Sequence, residues 1–173
     1  LDAWREWRRT HPDGYLYCFR GGLRSRTTQA WLSQAGVEAP LVVGGYKAMR
    51  RFLLDSLQRD LRQLPMVVLS GRTGCGKTRL LEKLDNAVNL EGLAHHRGSA
   101  FGRRPAGQPA QIDFENRLSI ALLKQRARGS DPLVVEDEGK LIGRCYLPEG
   151  LQTRIRQSSR VVIDEPLEAR VQV

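Results

Sequence analysis

Eight consecutive residues, Gly71-Arg72-Thr73-Gly74-Cys75-Gly76-Lys77-Thr78, constrain the fold more than any other part of the sequence. They match G-x-x-x-x-G-K-[ST] without a gap. They follow Met66-Val67-Val68-Leu69-Ser70, a continuous apolar run of the kind buried in parallel sheets. They precede a segment that reads as helix through about Ala87. A strand that ends in a glycine turn and enters a helix is the setting in which backbone N–H groups curl around a phosphate. Gly71, Gly74 and Gly76 permit the curl, Lys77 adds a mobile cation, and Thr78 can ligate Mg²⁺. Cys75 occupies a variable position and reads as a small filler. The motif predicts a bound phosphate or pyrophosphate and says nothing about nucleotide hydrolysis.

The flanking sequence extends this to an α/β pattern in both directions. Tyr15-Leu16-Tyr17 reads as a short strand, Ser25 to Ala35 as a helix with Ala30, Trp31 and Leu32 inward, and Gly36 as its stop. Leu41-Val42-Val43 reads as a second strand closed by Gly44-Gly45. A helical period over Tyr46 to Leu64 follows, with Pro65 as a boundary. Beyond the phosphate loop, Gly92 to Gln111 reads as a lid-like loop, Ile112 to Arg128 as a helix and Pro132 to Glu136 as a core strand. Pro148 to Gln157 reads as a helix, Arg160 to Ile163 as a buried strand, and Pro166 to Arg170 as the start of a further helix. Strands separated by helices predict a parallel sheet. With no initiator Met and a last element that reads as unfinished, the sequence is expected to be a piece of a longer polypeptide.

A carboxylate from the end of a neighbouring strand commonly closes a phosphate-loop site through Mg²⁺. Glu136-Asp137-Glu138 and Asp164-Glu165 both qualify by position. The first is favoured, with Glu136 or Asp137 nearest the metal.

A second chemical centre lies upstream. In Cys18-Phe19-Arg20-Gly21-Gly22-Leu23-Arg24-Ser25, the cysteine stands between a strand and a helix, where backbone N–H groups and the helix dipole stabilise a thiolate. Arg20 and Arg24 are expected to lower its pKa further, and the spacing to Arg24 is C-x5-R. Such a cradle serves attack on phosphorus, or carriage of sulfur or selenium as a persulfide-like adduct.

Charge supplies the partner class. Lys and Arg number 28 against 19 acidic residues, a net charge of +9, and 23 of the 28 are Arg. Guanidinium pairs bidentately with phosphate, which points to a polyanion. Arg97, Arg103 and Arg104 are candidate contacts to it. Three cysteines do not make a disulfide framework, so a reducing, cytoplasmic setting is expected. His95 and His96 lack a second ligand pair at metal spacing and are expected to fill packing or hydrogen-bonding roles.

The Cys18 loop, the helix with Trp31 and Gly36, and Leu41-Val42-Val43-Gly44-Gly45-Tyr46-Lys47-Ala48 resemble the C-terminal part of a rhodanese-like domain. Together with the phosphate loop, the segments Gly92 to Gly102, Gln108-Pro109, Phe114-Glu115-Asn116 and Val135 to Gly139 with Ile142-Gly143 resemble the bacterial tRNA 2-selenouridine synthase family. The resemblance implies a rhodanese-like part over 1–62 and a P-loop NTPase-like parallel α/β domain over 63–173. It also implies a transferase that converts wobble 2-thiouridine of tRNA to 2-selenouridine through an S-geranyl intermediate. Geranyl diphosphate and selenophosphate would be co-substrates, Mg²⁺ an aid, and Cys18, Arg20 and Arg24 the selenium-handling residues. Two departures qualify the likeness. C-x5-R is one residue longer than the turn frequent in sulfurtransferases and equals the spacing of Cys-dependent phosphatases, while Tyr17 replaces the His usual before the phosphatase Cys. The alternatives are a P-loop kinase or NTPase with a degenerate rhodanese appendage, and a non-catalytic RNA-binding module.

Overall fold

The structure, a computed structural model, describes residues 1–97, 102, 104–129 and 132–166. The chain divides into two compact units, Leu1–Leu53 and Leu54–Val173. In order, the elements are α1 (Asp2–Thr10), α2 (Leu23–Gln34), α3 (Gly45–Gln63), β1 (Met66–Gly71), α4 (Lys77–Leu81), β2 (Ala87–Val88) and α5 (Leu90–Leu93). There follow α6 (Gln111–Arg128), β3 (Leu133–Glu136), β4 (Leu141–Ile142), β5 (Cys145–Tyr146), α7 (Glu149–Gln157) and β6 (Ser159–Ile163).

The first unit has little core. Leu16, Leu32 and Ala39 are buried together, with Val37 and Leu41 packed against them. The two expected strands reduce to one parallel bridge between Leu16 and Leu41. Neither run is long enough to extend the ladder, and Tyr15 and Tyr17 turn outward. The inward side of α2 is Ser25 and Leu32, two turns apart, whereas Ala30 and Trp31 are exposed. The helix α1 was not legible in sequence because it buries no residue.

The second unit is a four-stranded sheet in the order β2-β3-β1-β6, parallel throughout. Val68 pairs with Val135 and Leu69 with Glu136, so the apolar run of β1 lies centrally with both faces covered. The helix α6 presents Phe114, Leu118 and Leu122, one residue per turn, and α7 presents Leu151 and Ile155. These join Leu57 and Leu61 of α3 in one core. The edge strand β6 departs from expectation: Val161 and Val162 are 53% and 65% exposed. The helix after the phosphate loop is also shorter than its sequence suggests. It ends at Leu81, and β2 begins at Ala87. A hairpin missed in the sequence, β4–β5, turns at Gly143 and Arg144, with φ of 59° at Gly143. No helix among the described residues is long and apolar enough to cross a membrane. The helix expected to begin at Pro166 lies outside the described residues from 167 onward.

Candidate functional site: a phosphate cavity and a cysteine cradle

In the second unit, β1 delivers the chain to Gly71 and α4 starts at Lys77, so the motif forms the loop at the carboxyl end of a central strand. Gly74 and Gly76 take φ of 84° and 83°, values that turn successive backbone groups to one side. The loop opens on a cavity of about 550 Å³ lined by Gly71, Gly74, Gly76, Lys77 and Thr78. Arg79, Arg97 and Arg104 also line it, and so do Glu91, Asp137 and Glu138. Lys77 Nζ donates to the carbonyls of Gly71 at 2.6 Å and Arg72 at 3.3 Å. Cys75 is buried and fills space beneath the loop, where a side chain added at Gly71 would meet its sulfur.

The three carboxylates after β3 divide. Glu136 is 1% exposed, and its Oε2 accepts from the Leu90 backbone N–H at 2.8 Å. Burial pushes its carboxyl up to about 7, with that N–H acting in the opposite direction. It is not among the cavity's lining residues, although sequence position favoured it as a metal neighbour. Asp137 does line the cavity. Its Oδ2 accepts from the Ser70 hydroxyl at 2.9 Å and from Arg160 Nε at 3.3 Å, which ties it to the last residue before the loop. Glu138, missed as a separate candidate, lines the same wall. Burial and the adjacent Glu91 carboxyl push it up to about 8. Asp164 and Glu165, the other sequence candidates, are exposed beyond β6. Among the described residues no cluster of three or more His, Cys, Asp or Glu side chains has metal-holding geometry.

Of the three loop arginines, Arg97 and Arg104 face the cavity, and Arg103 lies outside the described residues. Gln108 ties together described residues near them. Gln108 Nε2 donates to Ala94 O at 3.1 Å and Ile142 O at 2.8 Å, while its Oε1 accepts from Arg144 N at 2.8 Å. His96 is buried in this region, and His95 Nε2 accepts from Arg117 at 3.2 Å.

In the first unit, Cys18 is half-buried in a loop that ends on the first turn of α2. Gly22 N donates to its Sγ at 3.2 Å, and Ser25 Oγ lies 3.3 Å away. The Ser25 hydroxyl foremost, with the backbone N–H groups of Ser25, Arg20 and Gly22, lowers the thiol to about 6 against burial, which opposes them and ranks second only to the hydroxyl. The sequence reading named backbone N–H groups and the helix dipole, expected Arg20 and Arg24 to lower the thiol further, and missed the Ser25 hydroxyl. The arginines instead line the pocket of about 390 Å³ in front of the sulfur. A second support comes from the start of α3. Tyr46 N and Lys47 N donate to the carbonyls of Cys18 at 3.0 Å and Phe19 at 2.9 Å. Gly45, at φ of 61°, lies so close that a Cβ there would strike the Cys18 carbonyl.

A glycine-rich phosphate loop after a central strand of a parallel sheet, flanked by an acidic strand end, defines a P-loop α/β domain. Residues 64–173 match the tRNA 2-selenouridine synthase AAA domain, and the chain belongs to that family. It is 64% identical over its full length to a tRNA 2-selenouridine synthase of Alcanivorax borkumensis, covering 48% of that protein. To synthases of Marinobacter nauticus and Hahella chejuensis it is 53% and 56% identical, over 100% and 99% of this chain and 47% and 46% of theirs. The chain thus spans about half the length of the curated relatives it matches. No solved structure matches it.

Proposed function

We propose that this chain carries the two anion-handling centres of a tRNA 2-selenouridine synthase, which converts 2-thiouridine at the tRNA wobble position to 2-selenouridine through an S-geranyl intermediate. The P-loop cavity takes the diphosphate of geranyl diphosphate. Its backbone N–H groups, Lys77, Arg97 and Arg104 match two linked phosphates and stabilise the departing pyrophosphate. Thr78, Asp137 and Glu138 offer hard oxygen donors on the same cavity, a set suited to Mg²⁺. When bound, the ion neutralises phosphate charge. Alkylation turns the thiocarbonyl sulfur into a better leaving group.

The Cys18 loop, as part of a rhodanese-like segment, takes selenophosphate: the thiolate attacks phosphorus and the P–Se bond breaks. The freed hydroselenide adds to C2 of the S-geranylated base and expels geranylthiol, and water then cleaves the S–P bond to release phosphate. Ser25 and the N–H groups hold the sulfur anionic, and Arg20 and Arg24 balance the anions that arrive and leave. One observation carries this reading: a complete phosphate loop and a cysteine cradled by the Ser25 hydroxyl and the Gly22 N–H occur in the same chain. A P-loop kinase has no use for the second.

The test uses a protein of the relatives' full length with 2-thiouridine tRNA, geranyl diphosphate and selenophosphate, following the nucleoside by mass. Lys77→Ala is expected to block geranylation. Cys18→Ala is expected to leave the S-geranyl nucleoside accumulating without selenium. Loss of the same step in both variants overturns this division of labour.

A further inference from the structure

The pocket in front of Cys18 contains more than an oxyanion requires. Selenophosphate or an S-phosphoryl adduct is satisfied by N–H groups and cations, which Gly22, Arg20 and Arg24 supply. Phe19 and Leu23 also line the pocket, and they are 55% and 81% exposed. An exposed ring beside a reactive sulfur contributes nothing to the binding of a small anion.

The ring is also held ready. Its carbonyl accepts from Lys47 N at 2.9 Å and the carbonyl before it accepts from Tyr46 N at 3.0 Å, which fixes the backbone on both sides of its Cα. The Tyr46 ring lies next to it, with centroids 6.1 Å apart and planes tilted by 30°. One aromatic face is therefore supported by a neighbour in an open pocket of about 390 Å³. Two guanidinium groups belong to the same lining.

An aromatic face flanked by arginines is the combination that binds unpaired RNA bases, with the ring stacking the base and the cations meeting the adjoining phosphates. We propose that Phe19 is a stacking platform for a splayed RNA nucleobase, which it presents to Cys18. This rests on the selenium-transfer reading and adds the recognition element for the base. An isoprenoid chain is a poorer occupant, since only Phe19 and Leu23 of the six lining residues are large and apolar.

The test measures binding of an anticodon stem–loop RNA with 2-thiouridine at the wobble position and of the same RNA abasic at that position, using the full-length protein. Stacking of one base corresponds to roughly 5- to 150-fold in affinity. The unsubstituted protein is expected to prefer the base-bearing RNA by a factor in that range. Phe19→Ala is expected to lose the preference and Phe19→Trp to keep it. Equal affinity of the unsubstituted protein for the two RNAs overturns the proposal whatever the variants do. So does a preference that survives in Phe19→Ala, or a Phe19→Ala effect confined to geranyl diphosphate binding. Phosphoryl loading of Cys18 from selenophosphate, read separately as added protein mass in the unsubstituted protein, distinguishes the two levels. Its absence overturns the selenium-transfer reading, whereas loading without base preference overturns only the stacking platform.

Discussion

At Cys18 the sulfur meets the Ser25 hydroxyl and a ring of backbone N–H groups, none of which is a formal charge. These partners lie within hydrogen-bond reach, whereas a solvent-exposed guanidinium is screened by water and salt. The ranking has a kinetic consequence, because only the thiolate is alkylated. The rate of iodoacetamide modification of Cys18 is expected to rise through a midpoint near pH 6, against an ordinary thiol value of 9.0. Ser25→Ala removes the first-ranked stabiliser of the anion, so the midpoint moves up. Arg20→Ala retains the backbone N–H of that position and moves it less. A midpoint unchanged in Ser25→Ala, with a large shift in Arg20→Ala or Arg24→Ala, would restore the charge-based explanation. The sequence displayed Ser25 at the end of the loop. What it could not display was that the first turn of α2 directs this hydroxyl back at the sulfur.

Elements differ in how legibly the chain announces them. The phosphate loop is contiguous and its backbone requirement is written in glycines, so Gly71 to Thr78 could be placed between β1 and α4 from the sequence alone. The helices expected over Ile112 to Arg128 and Pro148 to Gln157 are present as α6 and α7, and Phe114, Leu118 and Leu122 and then Leu151 and Ile155 form a buried stripe on each. Local pattern failed where pairing or exposure decides. β6 has the apolar character of a buried strand yet lies at the sheet edge, a fact of strand order. The role of Gly44-Gly45 was half legible: a turn was evident, but not that the start of α3 would buttress the Cys18 loop. That buttress is open to test by Gly45→Ala. Its φ of 61° disfavours a side chain, and the added Cβ meets the Cys18 carbonyl. The substitution is expected to destabilise the folded chain by at least about 1 kcal/mol in urea unfolding. It is also expected to return the Cys18 alkylation midpoint toward that of an ordinary thiol. An unaltered midpoint would mean that the loop holds its shape without α3.

Across the whole molecule, the net charge of +9 predicted a polyanionic partner without saying which arginines meet it. Several are occupied at home. Arg126 pairs with the buried Asp60, Arg160 with Asp137, and Arg154 and Arg128 donate to backbone carbonyls. Arg97 and Arg104 are drawn into the P-loop cavity, where a diphosphate would engage them. That location separates two roles that the sequence left together. Each phosphate neutralised on RNA contributes about 0.7 to 1 to the slope of log affinity against log salt, because counterions are released. A guanidinium committed to the cavity contributes nothing to that slope. In a protein of the relatives' full length, Arg97→Ala with Arg104→Ala is expected to weaken geranyl diphosphate binding at least tenfold, since two charge-assisted hydrogen-bonding groups are lost. The salt slope of tRNA binding is expected to stay the same. If the slope falls by about 2 while diphosphate affinity holds, the two arginines belong to the tRNA surface and the cavity binds its anion through Lys77 and the loop backbone.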